Sequence, residues 1–418
     1  MKDKLFLLLQ KGFFHIFGAN VLNKIFQFTS AIFLVRILPK EEFGYFSYAE
    51  NLLMIFLLFN ALGASAGMLQ FGSETEDQNK KNAYFRFGIK WGYLFNLIIT
   101  LIIVVFGLNA PLKLEEARIL IIAMCVLPIV MFTFEIIQAY FRVSLENKSY
   151  SFLTSTNTFF VLIFSVMGAY YFQSIGIVLF KYVAFFITII IGLVLIKKNL
   201  LGIIKANELL INEKISFIKF SLSQSFNNAI SQMLYVIDIF MIGIIITDAS
   251  ILASYKTATL IPFALNFIPI SIMVFIYPYF AKKNSDIIWI KNNYIKLTKY
   301  LITFNLLITF TLILCSPWLI PLLFGEEYVD SIKPFIILSI GYFFAASFRI
   351  PVGNILVMMK KVKFGLYLSL ITGILNILLN YILISSYGSI GAAISTLTVF
   401  IFTSALGLGY LIKQLNKG

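Results

Sequence analysis

Runs of apolar residues, each long enough to cross a lipid bilayer, follow one another along the whole 418-residue chain. A membrane-spanning helix needs roughly 20 predominantly apolar residues, and about twelve windows reach that length. Hydrophobic residues make up 60% of the sequence and charged residues only 12%, whereas a soluble domain is roughly 25% charged. The sequence therefore predicts an all-α polytopic membrane protein. Its predicted spans are 13–38, 43–71, 83–110, 117–143, 150–170, 173–196, 216–246, 250–280, 293–316, 331–359, 364–385 and 388–412.

Lysine and arginine residues are distributed unevenly between the segments that join these spans. If the N-terminus lies in the cytoplasm, about 24 of the 33 basic residues fall in segments on that side and about 4 on the other, which is the positive-inside signal of membrane proteins. We therefore expect both termini in the cytoplasm, with residues 1–10 as an amphipathic lead-in. The net charge of +14 then faces anionic membrane lipids, not nucleic acid.

A polar connector at 197–215 is the longest in the chain and divides the spans into two groups of six. The sequence thus predicts an N-terminal six-helix lobe at 1–196, a cytoplasmic linker at 197–215 and a C-terminal six-helix lobe at 216–418. The two halves are weakly similar at an offset of 207 residues. This similarity is either a coincidence among apolar segments or the trace of a duplicated bundle. A duplicated bundle predicts two lobes around a central cavity, related by an axis along the membrane normal.

Polar side chains recur at helical spacing inside several spans. In the first span, Asn20, Lys24 and Gln27 follow the i, i+4, i+7 pattern of one helix face. A cation at the centre of a membrane helix costs about 2.5–3.5 kcal/mol. Such residues therefore face a water-filled cavity or hydrogen-bond to neighbouring helices, and the spacing alone does not separate these two interpretations.

Three cations within spans, Lys24, Lys256 and Arg349, are predicted to line a cavity that binds an anionic group such as a phosphate or diphosphate. Lys181 and Arg36 are predicted instead to extend toward the membrane surface. Further polar residues in or near spans are predicted to couple transport to an H⁺ or Na⁺ gradient or to contact sugar hydroxyls. These residues are Glu50, Glu135, Asp238, Asn20, Gln27, Gln224 and Asn228.

Motifs for catalysis are missing from the sequence. One His and two Cys argue against a metal site, and no resident cofactor is predicted. There is no phosphate-binding glycine loop and no nucleophile elbow. The segments on the outer side are short. These features favour movement of a substrate over chemistry on it, so we do not expect an enzyme.

Three motifs carry a resemblance to a known family. They are RILPKEEFGYFSYA from Arg36 to Ala49, LFGEEY from Leu323 to Tyr328, and NILLNYILI from Asn376 followed by YGSIGAAIST from Tyr387. Together they resemble the Wzx-type polysaccharide flippases of the multidrug/oligosaccharidyl-lipid/polysaccharide exporter superfamily, over essentially the full chain. The glycines of these motifs, Gly44, Gly388 and Gly391, are interpreted as turn or close-approach positions.

The resemblance implies a twelve-helix, two-lobe protein in a bacterial inner membrane. It implies export of an undecaprenyl-diphosphate-linked oligosaccharide, such as an O-antigen repeat unit, by ion-coupled alternating access. Polysaccharide polymerase machinery is the partner implied downstream. The related peptidoglycan-precursor flippases use cationic cavity residues in spans one and eight, and Lys24 and Lys256 lie in the matching spans here.

Two other functions remain open at this point. A multidrug cation antiporter of the same superfamily commonly keeps an Asp in its first span, whereas this span carries Lys24 and no acid. A membrane polysaccharide polymerase or ligase is the other alternative, and the short outer segments count against it.

Overall fold

The computed structural model describes residues 13–283, 286–359 and 361–416, and every regular element within these ranges is helical. The predicted lead-in at residues 1–10 lies outside them. The helices are α1 (Phe13–Ile37), α2 (Lys40–Leu57), α3 (Ala64–Ser73), α4 (Gln78–Asn109), α5 (Ala117–Ala123), α6 (Leu127–Val143), α7 (Asn147–Ile204), α8 (Ile211–Ile245), α9 (Ala249–Leu265), α10 (Phe267–Lys282), α11 (Ile287–Phe324), α12 (Ile332–Phe344), α13 (Ile350–Met358) and α14 (Val362–Leu415).

The described helices account for the predicted spans. Seven helical segments are long and apolar enough to cross a membrane, and nine if two strongly bent pairs each count as one span. Two of the seven, α7 and α14, fold back on themselves, so each supplies two passes. Helix α1 adds 25 residues of largely apolar helix. Counted as membrane passes, with each broken pair as one pass and each hairpin as two, these helices give twelve. The predicted all-α architecture of about twelve membrane-spanning helices in two bundles is therefore confirmed.

Helix α7 is a hairpin that turns at Phe172 and Gln173, where the backbone leaves helical geometry. The hydroxyl of Thr188 donates a hydrogen bond of 2.9 Å to Oδ1 of Asn157. In a straight helix these two residues would lie about 46 Å apart. The turn lies at the junction of the predicted spans 150–170 and 173–196, with Gln173 as the first residue of the second span.

Helix α14 is a second hairpin, and it turns at Gly388. This residue has φ +57° and ψ −130°, a conformation that glycine adopts without steric cost. The amide of Asn376 reaches the hydroxyl of Ser395 at 3.3 Å, and a side chain at Gly391 would collide with the carbonyl of Leu383. Gly388 and Gly391 thus have the turn and close-approach roles predicted for them. Gly44 does not lie in a turn, because it is buried within α2.

The chain divides into two compact units, 1–232 and 233–418. The predicted linker at 197–215 is shorter than expected, because α7 continues to Ile204 and α8 begins at Ile211. The start of α8 belongs to the first unit, where the buried ring of Phe217 packs against Tyr84 and Phe71. The boundary between the compact units therefore lies within α8, after the predicted linker.

Candidate functional site

Arg349 is the last residue of a π-helical turn, Ala345–Arg349, between α12 and α13. Such turns are rare and frequently lie at functional sites. Its Nη1 donates a hydrogen bond of 3.2 Å to the hydroxyl of Tyr235. Its guanidinium lies 4.9 Å from the ring centroid of Phe400 and 5.7 Å from that of Tyr235. Aromatic faces hold a cation without neutralising it, and no carboxylate pairs with Arg349 in the described ranges.

Lys256 lies close to this cluster along α9. The ring of Tyr235 packs edge-to-face on Phe263 of α9, with centroids 5.7 Å apart. Lys256 precedes Phe263 by seven residues, so it lies on the same helix face about 10.5 Å away along the axis. It is half-buried and forms no ion pair with any carboxylate that the structure describes. The second unit therefore carries two predicted site cations, and neither has an acidic partner among the described residues. Tyr235 links them, because it contacts Arg349 and also packs on α9, the helix that carries Lys256.

Lys24 lies on an exposed face of α1 in the first unit. Asn20, Lys24 and Gln27 are all exposed, and the ammonium of Lys24 donates to Oε1 of Gln27 at 3.2 Å. Asn23, one position before Lys24 and about 100° around the helix axis from it, is buried. The predicted polar stripe is thus a real surface of α1. Its role in substrate binding stays a prediction.

Asp238 is the centre of a buried hydrogen-bond network in the second unit, and it is only 2% exposed. Its Oδ2 accepts hydrogen bonds from the hydroxyl of Tyr255 at 2.7 Å and from that of Thr396, and its Oδ1 accepts from the amide of Asn380 at 2.7 Å. The amide of Asn380 also donates to Oδ1 of Asn376 at 3.3 Å. Oδ1 of Asn380 is buried without a hydrogen-bond partner in the described structure, so one acceptor remains unused next to the carboxylate.

Two of the three partners of Asp238, Asn380 and Thr396, come from motifs that the sequence alone assigns mainly to packing. Asn376 and Asn380 belong to the NILLNYILI motif, and Ser395 and Thr396 end the YGSIGAAIST motif. The hairpin turn of α14 brings the two motifs together. The available signal was the pair of asparagines at i and i+4, which places two amides on one face of an otherwise apolar helix. These residues were missed as candidate site residues.

Helix α2 ends in the first unit at a short break before α3. Ala61, Leu62 and Gly63 follow one another in left-handed conformations, with φ of +47°, +42° and +74°. Non-glycine residues adopt this region at a cost of about 1–3 kcal/mol each. Asn96, which is fully buried on α4, accepts the backbone N–H of Ala61 at 2.7 Å. One side chain from a neighbouring helix thus holds the break in place.

The same Asn96 links this break to a second one. Its amide donates to Oδ1 of Asn60 and to the carbonyl of Pro128, both at 2.8 Å. Pro128 lies at the start of α6, which is bent by 44° from α5. The amide of Asn60 then donates to Oε2 of Glu135 at 2.9 Å. Broken helices of this kind form substrate and ion sites in transporters, and the sequence reading missed both asparagines because each stands alone in its apolar run.

Four other predicted residues form two pairs. Lys181 pairs with Glu50 at 3.3 Å, and the side chains are 13% and 23% exposed. The half-buried carboxylate of Glu50 thus pairs with the ammonium of Lys181 within the first unit, and the extension of Lys181 toward the membrane surface stays a prediction. Gln224 and Asn228 lie on adjacent turns of α8, where the amide of Gln224 donates to Asn228 at 3.4 Å.

Known proteins are similar to this chain in sequence, through a family model, and in fold, through solved structures. Residues 9–284 match the model of a family described as "Polysaccharide biosynthesis protein". Among curated protein sequences, none matches. Among solved structures, an inward closed conformation of the lipid II flippase MurJ matches with a TM-score of 0.73 and 18% identity, covering 96% of this chain and 89% of that one.

Two more distant transporters have the same fold. An inward-facing multidrug resistance MATE family transporter of the MOP superfamily matches with a TM-score of 0.70 and 12% identity, covering 94% of this chain and 96% of that one. A MOP superfamily transporter from Pyrococcus furiosus, noted for the reverse polarity of its binding pocket, gives 0.63 and 12%, covering 96% and 94%. At these identities the likeness establishes the fold, and the predicted exporter fold is confirmed. Because the family model covers well over half of its residues, the chain belongs to the polysaccharide biosynthesis protein family.

Proposed function

We propose that this protein is a flippase that moves an undecaprenyl-diphosphate-linked oligosaccharide, such as an O-antigen repeat unit, from the cytoplasmic to the periplasmic leaflet of a bacterial inner membrane. Membership of a polysaccharide biosynthesis family supports a saccharide-linked cargo. The fold shared with the lipid II flippase MurJ supports a lipid-linked one. Polysaccharide polymerase machinery then receives the exported unit.

The observation that carries this proposal is the pair of cations Lys256 and Arg349, connected through Tyr235 and Phe263 and lacking acidic partners in the described ranges. The diphosphate is the part of the cargo that water solvates most strongly, so its charge dominates the barrier to crossing the hydrocarbon core. A guanidinium can form two parallel hydrogen bonds to phosphate oxygens, and an ammonium adds a point charge.

Substitution of Arg349 tests the proposal. We expect Arg349→Gln to reduce surface polysaccharide per membrane-inserted protein about tenfold or more, because a hydrogen bond to a charged group contributes about 1.5–3 kcal/mol. Arg349→Lys should retain part of the activity, since the charge remains without the planar fork. Lys299→Gln, at an exposed lysine of α11, is the matched control. Wild-type polysaccharide levels in Arg349→Gln would remove this cation from the site.

Lys24, on the exposed face of α1, is also proposed as a cation that binds the diphosphate during transport. Lys24→Ala should lower transport at normal protein abundance, and Lys24→Glu should lower it further because the charge is reversed. If Lys24 only joins neighbouring helices, Lys24→Ala should lower abundance and polysaccharide in parallel. Quantifying inserted protein beside surface polysaccharide distinguishes the two roles.

The coupling ion, H⁺ or Na⁺, is proposed to act at the Asp238 network. Its support is one carboxylate surrounded by side-chain oxygens, including the unused Oδ1 of Asn380. Hard cations prefer such oxygen ligands. Asp238→Asn keeps the shape of the side chain and removes its charge, so flipping in vesicles should lose its response to an imposed ion gradient. An unchanged response in both Asp238→Asn and Glu135→Gln would end the proposal of coupling through these acids.

The multidrug antiporter alternative has weaker support from the site. Cationic drugs would meet Lys256 and Arg349, which repel them, and the first span offers no acid in compensation. The polymerase or ligase alternative has no support from the structural neighbours, which are transporters and flippases. Drug efflux that depends on this protein while surface polysaccharide is unaffected would favour the antiporter.

A further inference from the structure

A cavity of about 160 Å³ opens at one end of the first unit, between α4, the connector 205–210 and the start of α8. The distribution of basic residues assigns this end to the cytoplasm. Its polar lining consists of Arg86, Lys90, Asn207, Glu208 and Lys214. Three cations therefore face one carboxylate in a small cavity distant in sequence from the predicted substrate cations.

Local contacts hold the walls of the cavity in place. The guanidinium of Arg86 donates to the carbonyls of Ile204 and Ala206 at 3.2 and 3.1 Å, which caps the end of α7. The ammonium of Lys80 pairs with Glu213 at 2.7 Å and joins α4 to α8. These contacts fix the connector against α4, so the cavity is part of the fold and not a gap between mobile loops.

The carboxylate of Glu208 shows that the basic residues of the cavity stabilise a negative charge. Its carboxylate lies 3.2 Å from the ammonium of Lys214. The hydrogen bond and charge of Lys214 lower the pKa of Glu208, and the charges of Lys90 and Arg86 lower it further. The cavity thus stabilises the negatively charged form of a group at its mouth. Lys90 is exposed and forms no hydrogen bond within the described part of the chain, so its charge is available.

Exposed apolar side chains surround the same connector. Leu201 and Ile204 at the end of α7 are 70% and 66% exposed, and Leu210 and Ile211 at the start of α8 are 70% and 68% exposed. Large apolar side chains beside a basic cavity suit the boundary between acyl chains and headgroups. A free anion in water would gain nothing from these side chains, whereas a lipid would contact them with its chains.

We propose that this cavity binds the phosphate headgroup of an anionic membrane lipid in the cytoplasmic leaflet. Lys90 and Lys214 contact the phosphate from two sides, and Arg86 forms the rigid floor. Glu208 competes for Lys214 and weakens binding. The site is independent of the transported cargo, so it stands whether or not the proposed flippase function is correct.

The experiment uses the full-length protein purified in an uncharged detergent. The thermal unfolding midpoint is measured while phosphatidylglycerol or phosphatidylcholine is mixed into the micelles, and in a third arm with inorganic phosphate alone. The variants are Lys90→Gln, Glu208→Gln and the control Lys148→Gln, which removes an exposed lysine from the same predicted face but outside the cavity. Unfolding midpoints without lipid verify that each variant is folded.

We expect phosphatidylglycerol to stabilise the wild type and phosphatidylcholine not to. Lys90→Gln should need about fivefold more phosphatidylglycerol, which corresponds to the contribution of one basic residue near an anionic surface. Lys148→Gln should match the wild type, and Glu208→Gln should need less lipid. Equal lipid requirements in Lys90→Gln and wild type, or an equal change in Lys148→Gln, would overturn the site. Equal protection by inorganic phosphate would overturn a lipid as its ligand.

Discussion

The two units of the molecule place their acids and their strained backbone differently. In the second unit, Asp238 accepts hydrogen bonds from three side chains and is almost fully buried. In the first unit, Glu135 is half-buried and accepts one from Asn60. All four non-glycine residues with positive φ in the described chain lie in the first unit, and two of them adjoin Asn60.

This difference indicates which unit can change shape at low cost. Strained residues persist only where their surroundings hold them, and the surroundings of Ala61 and Leu62 depend on the few hydrogen bonds of Asn96. A local rearrangement at this break would release strain, whereas a rearrangement around Asp238 would expose three buried donors. We therefore expect the first unit to open more readily, and five substitutions test the comparison between the two units.

The largest effect is expected at Asp238. Asp238→Ala should reduce the free energy of unfolding by about 3 kcal/mol or more, because three buried donors lose their acceptor at about 1–3 kcal/mol each. Glu135→Ala should reduce it by only about 1 kcal/mol, since Asn60 is half-buried and can turn to other partners. Chemical unfolding of both variants in detergent provides the measurement. Equal losses would remove the contrast between the two acids.

Asn96→Ala should produce the next largest effect. We expect a loss of about 2 kcal/mol, because the backbone N–H of Ala61 and the carbonyl of Pro128 are left without their partner in a buried place. Hydrogen exchange at residues 58–63 should accelerate more than in the second unit. Uniform acceleration across both units would show that Asn96 acts on global stability alone.

Gly388→Ala should cost about 1–2 kcal/mol, because φ +57° with ψ −130° is a region that a Cβ disfavours. The free energy of unfolding is measured in detergent. Gly409→Ala is the control, because Gly409 is a helical glycine with open space around it, so the difference between the two variants gives the cost of a side chain at the turn. If Gly388→Ala is as stable as the wild type, the turn of α14 is not held in this conformation.

Gln173→Gly should give the smallest effect and the opposite sign. Gln173 occupies φ +54° and ψ −142° at the turn of α7 with its side chain exposed. Glycine at this position relieves the strain and should raise the unfolding free energy by about 0.5–1 kcal/mol. A loss of stability would mean that the turn of α7 does not store strain, which would weaken the comparison between the two units.

Much of the fold could be predicted from the sequence, because the length and apolar composition of a segment are enough to identify a membrane-spanning helix. The hairpin turns lie within one residue of the predicted span boundaries, and Gly388 and Gly391 have the predicted roles. The start of α8 was assigned to the other lobe, since the composition of a connector does not reveal which core Phe217 enters.

Only the acids of the polar networks, and not their hydrogen-bond partners, could be identified from the sequence. Asp238 and Glu135 stand out as acids in apolar runs, but their partners do not. Asn60 lies 75 residues from Glu135, and Asn380 lies 142 residues from Asp238. Such pairs depend on the packing of distant helices, which periodicity within one span does not encode. The exposed stripe of α1 could be predicted because it depends only on spacing within a single helix.

The network around Asp238 also has a consequence for biosynthesis. Its carboxylate accepts from Tyr255, which follows 17 residues later, but also from Thr396, which follows 158 residues later. At about 5–20 residues per second, the ribosome makes this stretch in roughly 8–30 s. During that interval two of the three donors to Asp238, Asn380 and Thr396, have not both been made. A chain truncated before the last hairpin would lack Asn380 and Thr396, so its Asp238 would keep only one of the three hydrogen-bond donors.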